Sequence, residues 1–70
     1  MPFLFLLALM SGPLLAAEGD ERAREYFING KNLFEEGEYK AAVNAWQKAY
    51  DLSPRALLLY NIATAHEKLE

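Results

Sequence analysis

His66 is the only histidine in the chain, and Glu67 and Glu70 follow it. Imidazole beside carboxylate is the pairing from which metal sites and general bases are built. A metal centre needs at least three convergent ligands, and His66 falls on the apolar side of a helical stretch, where an aromatic packing role is the simpler reading. Glu35, Glu36 and Glu38 invite comparison with paired acid–base carboxylates or a calcium site, but they cluster where a helix ends and are read as solvated acids. Trp46 with Tyr39 and Tyr50 resembles a sugar-stacking platform, yet Tyr39 and Trp46 occupy positions expected in a core. The only serines are Ser11 and Ser53, and Ser11 lies in an apolar leader, so no serine–histidine pair is credible. With no cysteine, disulfides, thiolate catalysis, cysteine zinc sites and lipidation at cysteine are excluded. No catalytic, cofactor-binding or metal residue is assigned, no cofactor is expected, and the chain is not read as an enzyme.

Composition points the same way. A chain of 70 residues builds too small a core to enclose an active site without disulfides, metal or partners. A net charge of −3 and a pI near 5.1, with the basic residues scattered, argue against nucleic acid, which requires clustered Lys and Arg. The average hides two segments. Residues 1–17 carry 13 of the 37 apolar residues and none of the 17 charges, whereas residues 18–70 have ordinary globular proportions.

The first segment has the layout of a secretory signal peptide. An unbroken apolar run from Phe3 to Met10 is closed by Ser11-Gly12-Pro13 and then by Leu14-Leu15-Ala16-Ala17 before the first charge, Glu18. Phe3 to Ala17 would span ~22 Å as a helix, short of the ~30 Å of a bilayer core. Met1-Pro2 brings only the α-amino group to the end where Lys or Arg is customary. This fits a weak signal or a start downstream of the true one. The other readings are a retained membrane anchor, which alone would make the membrane a partner, and a buried helix of the fold.

The second segment is all-α. Ala23, Tyr26, Phe27, Gly30, Leu33 and Phe34 recur at helical spacing, with Asp20 as an N-cap and Gly37 as the stop, predicting a first helix at about 20–36. Tyr39, Ala42, Val43, Trp46, Ala49, Tyr50 and Leu52 restart the period behind Glu38. Ser53-Pro54 then predicts the start of a third helix, with Ser53 capping it and Leu58, Leu59, Ile62, Ala63, His66 and Leu69 on its apolar side. Joints as short as Gly37-Glu38 and Ser53-Pro54 make the helices antiparallel neighbours. Gly30 is expected against Ala42, with Tyr26, Tyr39 and Trp46 filling the rest of that interface.

An internal repeat is present. Tyr26, Asn29, Gly30 and Leu33 return at an offset of 33 residues as Leu59, Ile62, Ala63 and His66. At these positions the chain resembles the tetratricopeptide repeat (TPR) family, whose pattern is W-x-x-L-G-x-x-Y, then A-x-x-x-F, then P. Tyr26 stands at the Trp place, Gly30 at the Gly and Leu33 at the Tyr. Gly37 and Tyr39 match the turn, Ala42 and Trp46 match A-x-x-x-F, Ala49 matches the small position after it, and Pro54 the closing proline. Asn29 replaces the Leu, and the second copy has Ala63 for Gly and Glu70 at the turn. The resemblance covers residues 23–70 and implies about one and a half repeats of an α-solenoid: a signal segment at 1–17, a lead-in at 18–22, a helical hairpin at 23–54, and the first helix of a second repeat at 55–70. Its general style, with a leader in front, resembles bacterial envelope repeat proteins and implies an exported, periplasmic or envelope-associated chain.

Repeats of this kind bury their apolar faces by stacking. Leu57, Leu58, Ile62 and Leu69 are therefore expected to lack a full cover, making residues 18–70 either the start of a longer protein or dependent on a partner to fold. In the family, the first helix of each pair lines a concave groove that holds peptides or partner helices. By that resemblance the groove carries Arg24, Phe27, Lys31 and Glu35 from the first helix and Tyr60, Asn61, Thr64 and Lys68 from the third. Phe27 stands where a carboxylate-clamp lysine would be expected, which speaks against recognition of a carboxylate tail. The favoured expectation is an exported interaction or scaffold module for a protein or peptide partner. The alternatives are a membrane-tethered protein that self-associates through its third helix and an accessory repeat domain of a longer enzyme. Cleavage after Ala17 separates the first two: on expression in a bacterium, an intact mass beginning at Glu18 is expected, and retention of residues 1–17 in the membrane fraction would favour the tethered form.

Overall fold

The computed structural model describes the backbone of residues 2–70 and the side chains of residues 18–70. The chain folds into three helices, α1 (Pro2–Glu35), α2 (Tyr39–Leu52) and α3 (Ala56–Leu69), with no strand among the described residues. Residues 2–17 of the expected leader, with its break at Ser11-Gly12-Pro13, fall in the first half of α1, outside the residues whose side chains are described. From Glu18 onward the chain is already helical. The expected start near Asp20 is thereby corrected: Asp20 lies inside α1 and leaves no helix N-terminus for its carboxylate to cap.

Gly37 ends α1 as its composition requires. Its φ of +82° is a left-handed conformation that glycine reaches without steric cost. Two hydrogen bonds close the end, from the Gly37 N–H to the Phe34 carbonyl (3.0 Å) and from the Glu38 N–H to the Leu33 carbonyl (2.9 Å). This 5→2 and 6→1 pair is a Schellman motif, and it satisfies carbonyls that a helix end otherwise leaves open. Glu38 precedes α2 without a side-chain capping bond.

At the second joint the roles differ from expectation. Pro54 has no N–H to continue α2, and it disfavours helical geometry in the residue before it. Ser53 accordingly has φ −148° and ψ 89°, and its backbone N–H closes α2 on the Ala49 carbonyl at 2.9 Å. The residue preceding α3 is Arg55, extended at φ −125° and ψ 137° and without a side-chain cap. Ser53 does not cap α3, because its hydroxyl is committed across the molecule: it donates to the Asp20 carboxylate at 2.8 Å.

The pairs that touch across the first interface establish the direction of packing. Tyr39 meets Phe34, Trp46 meets Phe27, Lys48 meets Tyr26, and Ser53 meets Asp20. Residue numbers rise along α2 as they fall along α1, so the two helices are antiparallel, and α3 packs on α2.

The core is made of small residues around one large one. Ala23, Ala42, Ala45, Ala49 and Ala65 are buried with Leu58 and Trp46, while Tyr26, Phe34, Tyr39 and Ile62 pack around them half-buried. Such a set lets helices approach at the short end of the usual ~8–10 Å separation. Gly30 lies directly under a side chain of α2. An added Cβ would lie 2.5 Å from Trp46 Cδ1 and 2.9 Å from Cε2, so the indole ring covers the glycine directly. Ala42, expected against Gly30, is itself fully buried in the same core. Trp46 Nε1 also donates to the Phe27 carbonyl at 3.1 Å, and its ring lies 5.7 Å from that of Phe34.

The packed side of α3 is also displaced from its expected position. Leu58 and Ala65 are buried and Ile62 half-buried, but Leu59, Ala63, His66 and Leu69 are exposed. α2 covers only the 58–62–65 line, and His66 is exposed outside it.

Gly30→Ala tests the contact by its sign. In an open helix alanine is worth ~1 kcal/mol over glycine, whereas overpacking costs ~1–3 kcal/mol. A net loss of stability with a shifted Trp46 emission is expected in urea unfolding; a gain would mean that the ring does not lie on Gly30.

Candidate functional site

On α1, Asp20, Arg24, Phe27, Lys31 and Glu35 follow one another at steps of three or four and form one stripe. On α3, Leu57, Tyr60, Asn61 and Thr64 form another. α2 lies between the two helices, and its Trp46 reaches the floor of the depression that separates the stripes.

Two adjoining hollows occupy this groove. One, of about 340 Å³, is bounded by Asp20, Ala23, Arg24, Phe27, Ser53, Arg55, Leu57 and Leu58. The other, of about 470 Å³, is bounded by Phe27, Lys31, Phe34, Glu35, Trp46, Leu57, Tyr60, Asn61 and Thr64. Phe27 and Leu57 belong to both and form a saddle between them. Leu57 is 61% exposed and Tyr60 69% exposed, so large apolar surface faces water inside the groove.

Seven of the eight residues expected here therefore lie together: Arg24 in the first hollow, Phe27 in both, and Lys31, Glu35, Tyr60, Asn61 and Thr64 in the second. Lys68 continues the α3 stripe one turn beyond Thr64 and borders neither hollow. Leu57 was within reach of periodicity, lying seven residues before Thr64, and Asp20 lies one turn before Arg24. Ser53 and Arg55 carried no such signal, since only the folded joint delivers them to the groove.

Electrostatics divides the rim. Ser53 Oγ donates to Asp20 and accepts from Arg55 Nε at 3.3 Å, while an Arg55 guanidinium nitrogen stands 3.9 Å from the same carboxylate. Lys31 stands 3.9 Å from Glu35, one turn on. These pairs are exposed and worth at most ~1 kcal/mol each. Arg24 forms no ion pair with a described residue. Thr64 spends its hydroxyl proton on the Tyr60 carbonyl at 3.0 Å, and the Asn61 amide and Tyr60 hydroxyl are further neutral donors and acceptors of the second hollow.

His66, Glu67 and Glu70 are exposed, and His66 lies about half a turn from the groove stripe. Among the described residues, no group of three or more His, Asp or Glu is placed to hold a metal ion, and no helix is long and apolar enough to cross a membrane. The groove offers apolar burial, charge, one amide and the hydroxyls of Ser53, Tyr60 and Thr64.

No protein-family model, curated protein or solved structure matches the chain.

Neighbouring leucines provide a check on this arrangement. Leu58→Ala, buried under α2, is expected to cost ~2–5 kcal/mol, while Leu57→Ser, on open groove surface, should stay within ~0.5 kcal/mol of the parent. Comparable losses for both in chemical denaturation would mean that α3 is rotated from the orientation described.

Proposed function

We propose that this chain is a TPR-like protein-interaction module that holds an extended peptide or a partner helix in the groove between α1 and α3, and that it works as an exported adaptor or scaffold without chemistry of its own. The observation that carries this reading is the exposed apolar surface of Leu57 and Tyr60 facing Phe27 across a floor that includes Trp46. Scattered exposed apolar residues are ordinary; several gathered along one concavity with polar groups at the rim mark a recognition surface. The repeat resemblance supports the same side of the helices, and the leader supports export.

The groove contains its own reporter, since Trp46 is the chain's only tryptophan. A phage-displayed peptide library selected on the chain should enrich sequences whose synthetic copies change Trp46 emission. Leu57→Glu should weaken them about tenfold or more, equivalent to ~1.4 kcal/mol. Failure to enrich any sequence, or binders indifferent to Leu57→Glu, would sink the reading.

A second reading has one observation in its favour. Leu59, Ala63, His66 and Leu69 form an exposed stripe on the side of α3 away from the groove, where a second copy could pack. Sedimentation that reports a dimer disrupted by Ala63→Glu would support self-association. A monomer across concentrations would remove it.

A further inference from the structure

We infer that the segment held in the groove is acidic as well as apolar: a peptide whose bulky apolar side chain enters the hollow between Phe27 and Leu57 while an aspartate or glutamate beside it meets Arg24 and Arg55. This rests on the groove reading above and adds the chemistry of the partner. The argument is charge segregation. The whole chain carries seven cations against ten acids, yet the residues that border the two hollows include three cations (Arg24, Lys31 and Arg55) and only two acids, Asp20 and Glu35. The hollows are thus +1 and the rest of the chain −4, which sum to the formal −3.

Within the groove the excess is concentrated in the first hollow. Arg24 and Arg55 border it against the single carboxylate of Asp20, which Arg55 and Ser53 already engage. Arg24, with no ion pair to a described residue, is the cation left for an occupant. A guanidinium offers a planar fork of donors suited to a carboxylate. It stands beside apolar walls formed by Ala23, Phe27, Leu57 and Leu58, so one occupant meets both requirements only if acid and apolar group are neighbours. A basic occupant would face like charge there, and like-charge juxtaposition opposes binding.

The test uses the intact chain, its Trp46 emission and two synthetic peptides with amidated C-termini. Both carry a Leu-Phe anchor, flanked by glutamates in one and by lysines in its twin; amidation removes the terminal carboxylate as a source of the acid. The glutamate peptide is expected to bind about tenfold tighter, with the advantage shrinking as salt is raised, because exposed charges are screened. Arg24→Glu should abolish or reverse the preference. Lys40→Glu, which changes net charge equally at an exposed site outside the groove, should leave it intact. Equal binding of the twins, a preference that survives Arg24→Glu, or an equal loss in Lys40→Glu would overturn the inference. So would failure of both twins while library-selected peptides bind, an outcome that spares the groove itself. If no peptide of any kind binds, the groove reading falls with it.

Discussion

The architecture depends on a tryptophan lying on a glycine. Trp46 covers Gly30, and its indole N–H donates to the Phe27 carbonyl one turn earlier on α1. The largest side chain of the core thereby enters the interface at a place where the facing helix has no Cβ, and its polar atom is satisfied as it is buried. Burial of that N–H without a partner would cost ~1–3 kcal/mol. Around it the core supplies alanines that allow close approach but little apolar area of their own. The aromatic side chains of Phe34 and Tyr39, stacked edge to face at 5.0 Å, hold the turn end of the same interface. The opposite end is joined by polar contacts, the Ser53 hydroxyl and Arg55 guanidinium on Asp20. One end of the α1–α2 pair is closed by apolar packing and the other by exposed charge, and the second closure is the weaker.

That placement also creates the groove. Because Trp46 spends one face on α1, α2 stands between α1 and α3, and the outer helices face each other across a gap instead of packing together. Phe27 and Leu57 are left as opposing walls. The carbonyl that receives the indole N–H belongs to Phe27, the same residue whose ring forms the saddle between the two hollows. The core contact and the candidate site therefore share a residue, and disturbance of the tryptophan would alter the groove as well as stability.

Much of this was legible in the residues. The period of α1 and α2, the left-handed stop at Gly37 and the need for a small residue at Gly30 follow from spacing and backbone sterics, whereas the eight groove residues came from the repeat resemblance, and seven of them border the two hollows. What was not legible depended on rotation and on distant contacts. The 3.6-residue period of α3 fits two neighbouring faces, because Leu57, Leu58 and Leu59 are consecutive and equally apolar; only packing against α2 selects Leu58 for burial and leaves Leu59 and His66 in water. Ser53 before Pro54 has the form of a cap, but its hydroxyl found a stronger acceptor in Asp20, 33 residues away. No local pattern announces a bond of that separation. Asp20, for its part, was judged a cap because the helix was expected to begin there.

A small core and an open groove have a joint consequence. A chain of this length buries a modest share of its surface and folds with a narrow margin. The apolar area still in water on Leu57 and Tyr60 is a large reserve by comparison with that margin. An occupant that covers it binds the folded state alone, and so stabilises the fold by RT ln(1 + [L]/Kd), ~2.7 kcal/mol at a hundredfold excess over Kd. For a domain near the lower limit of independent stability, such a gain is comparable to the loss from a damaging core substitution. Occupancy and folding are then linked: α3, held by the buried line of Leu58, Ile62 and Ala65 to a single neighbour, is the element whose position an occupant would secure. A surface that bound in this way would not need to be rigid beforehand, and the exposed Leu57 that looks like a liability in the free chain would make the helix responsive to an occupant.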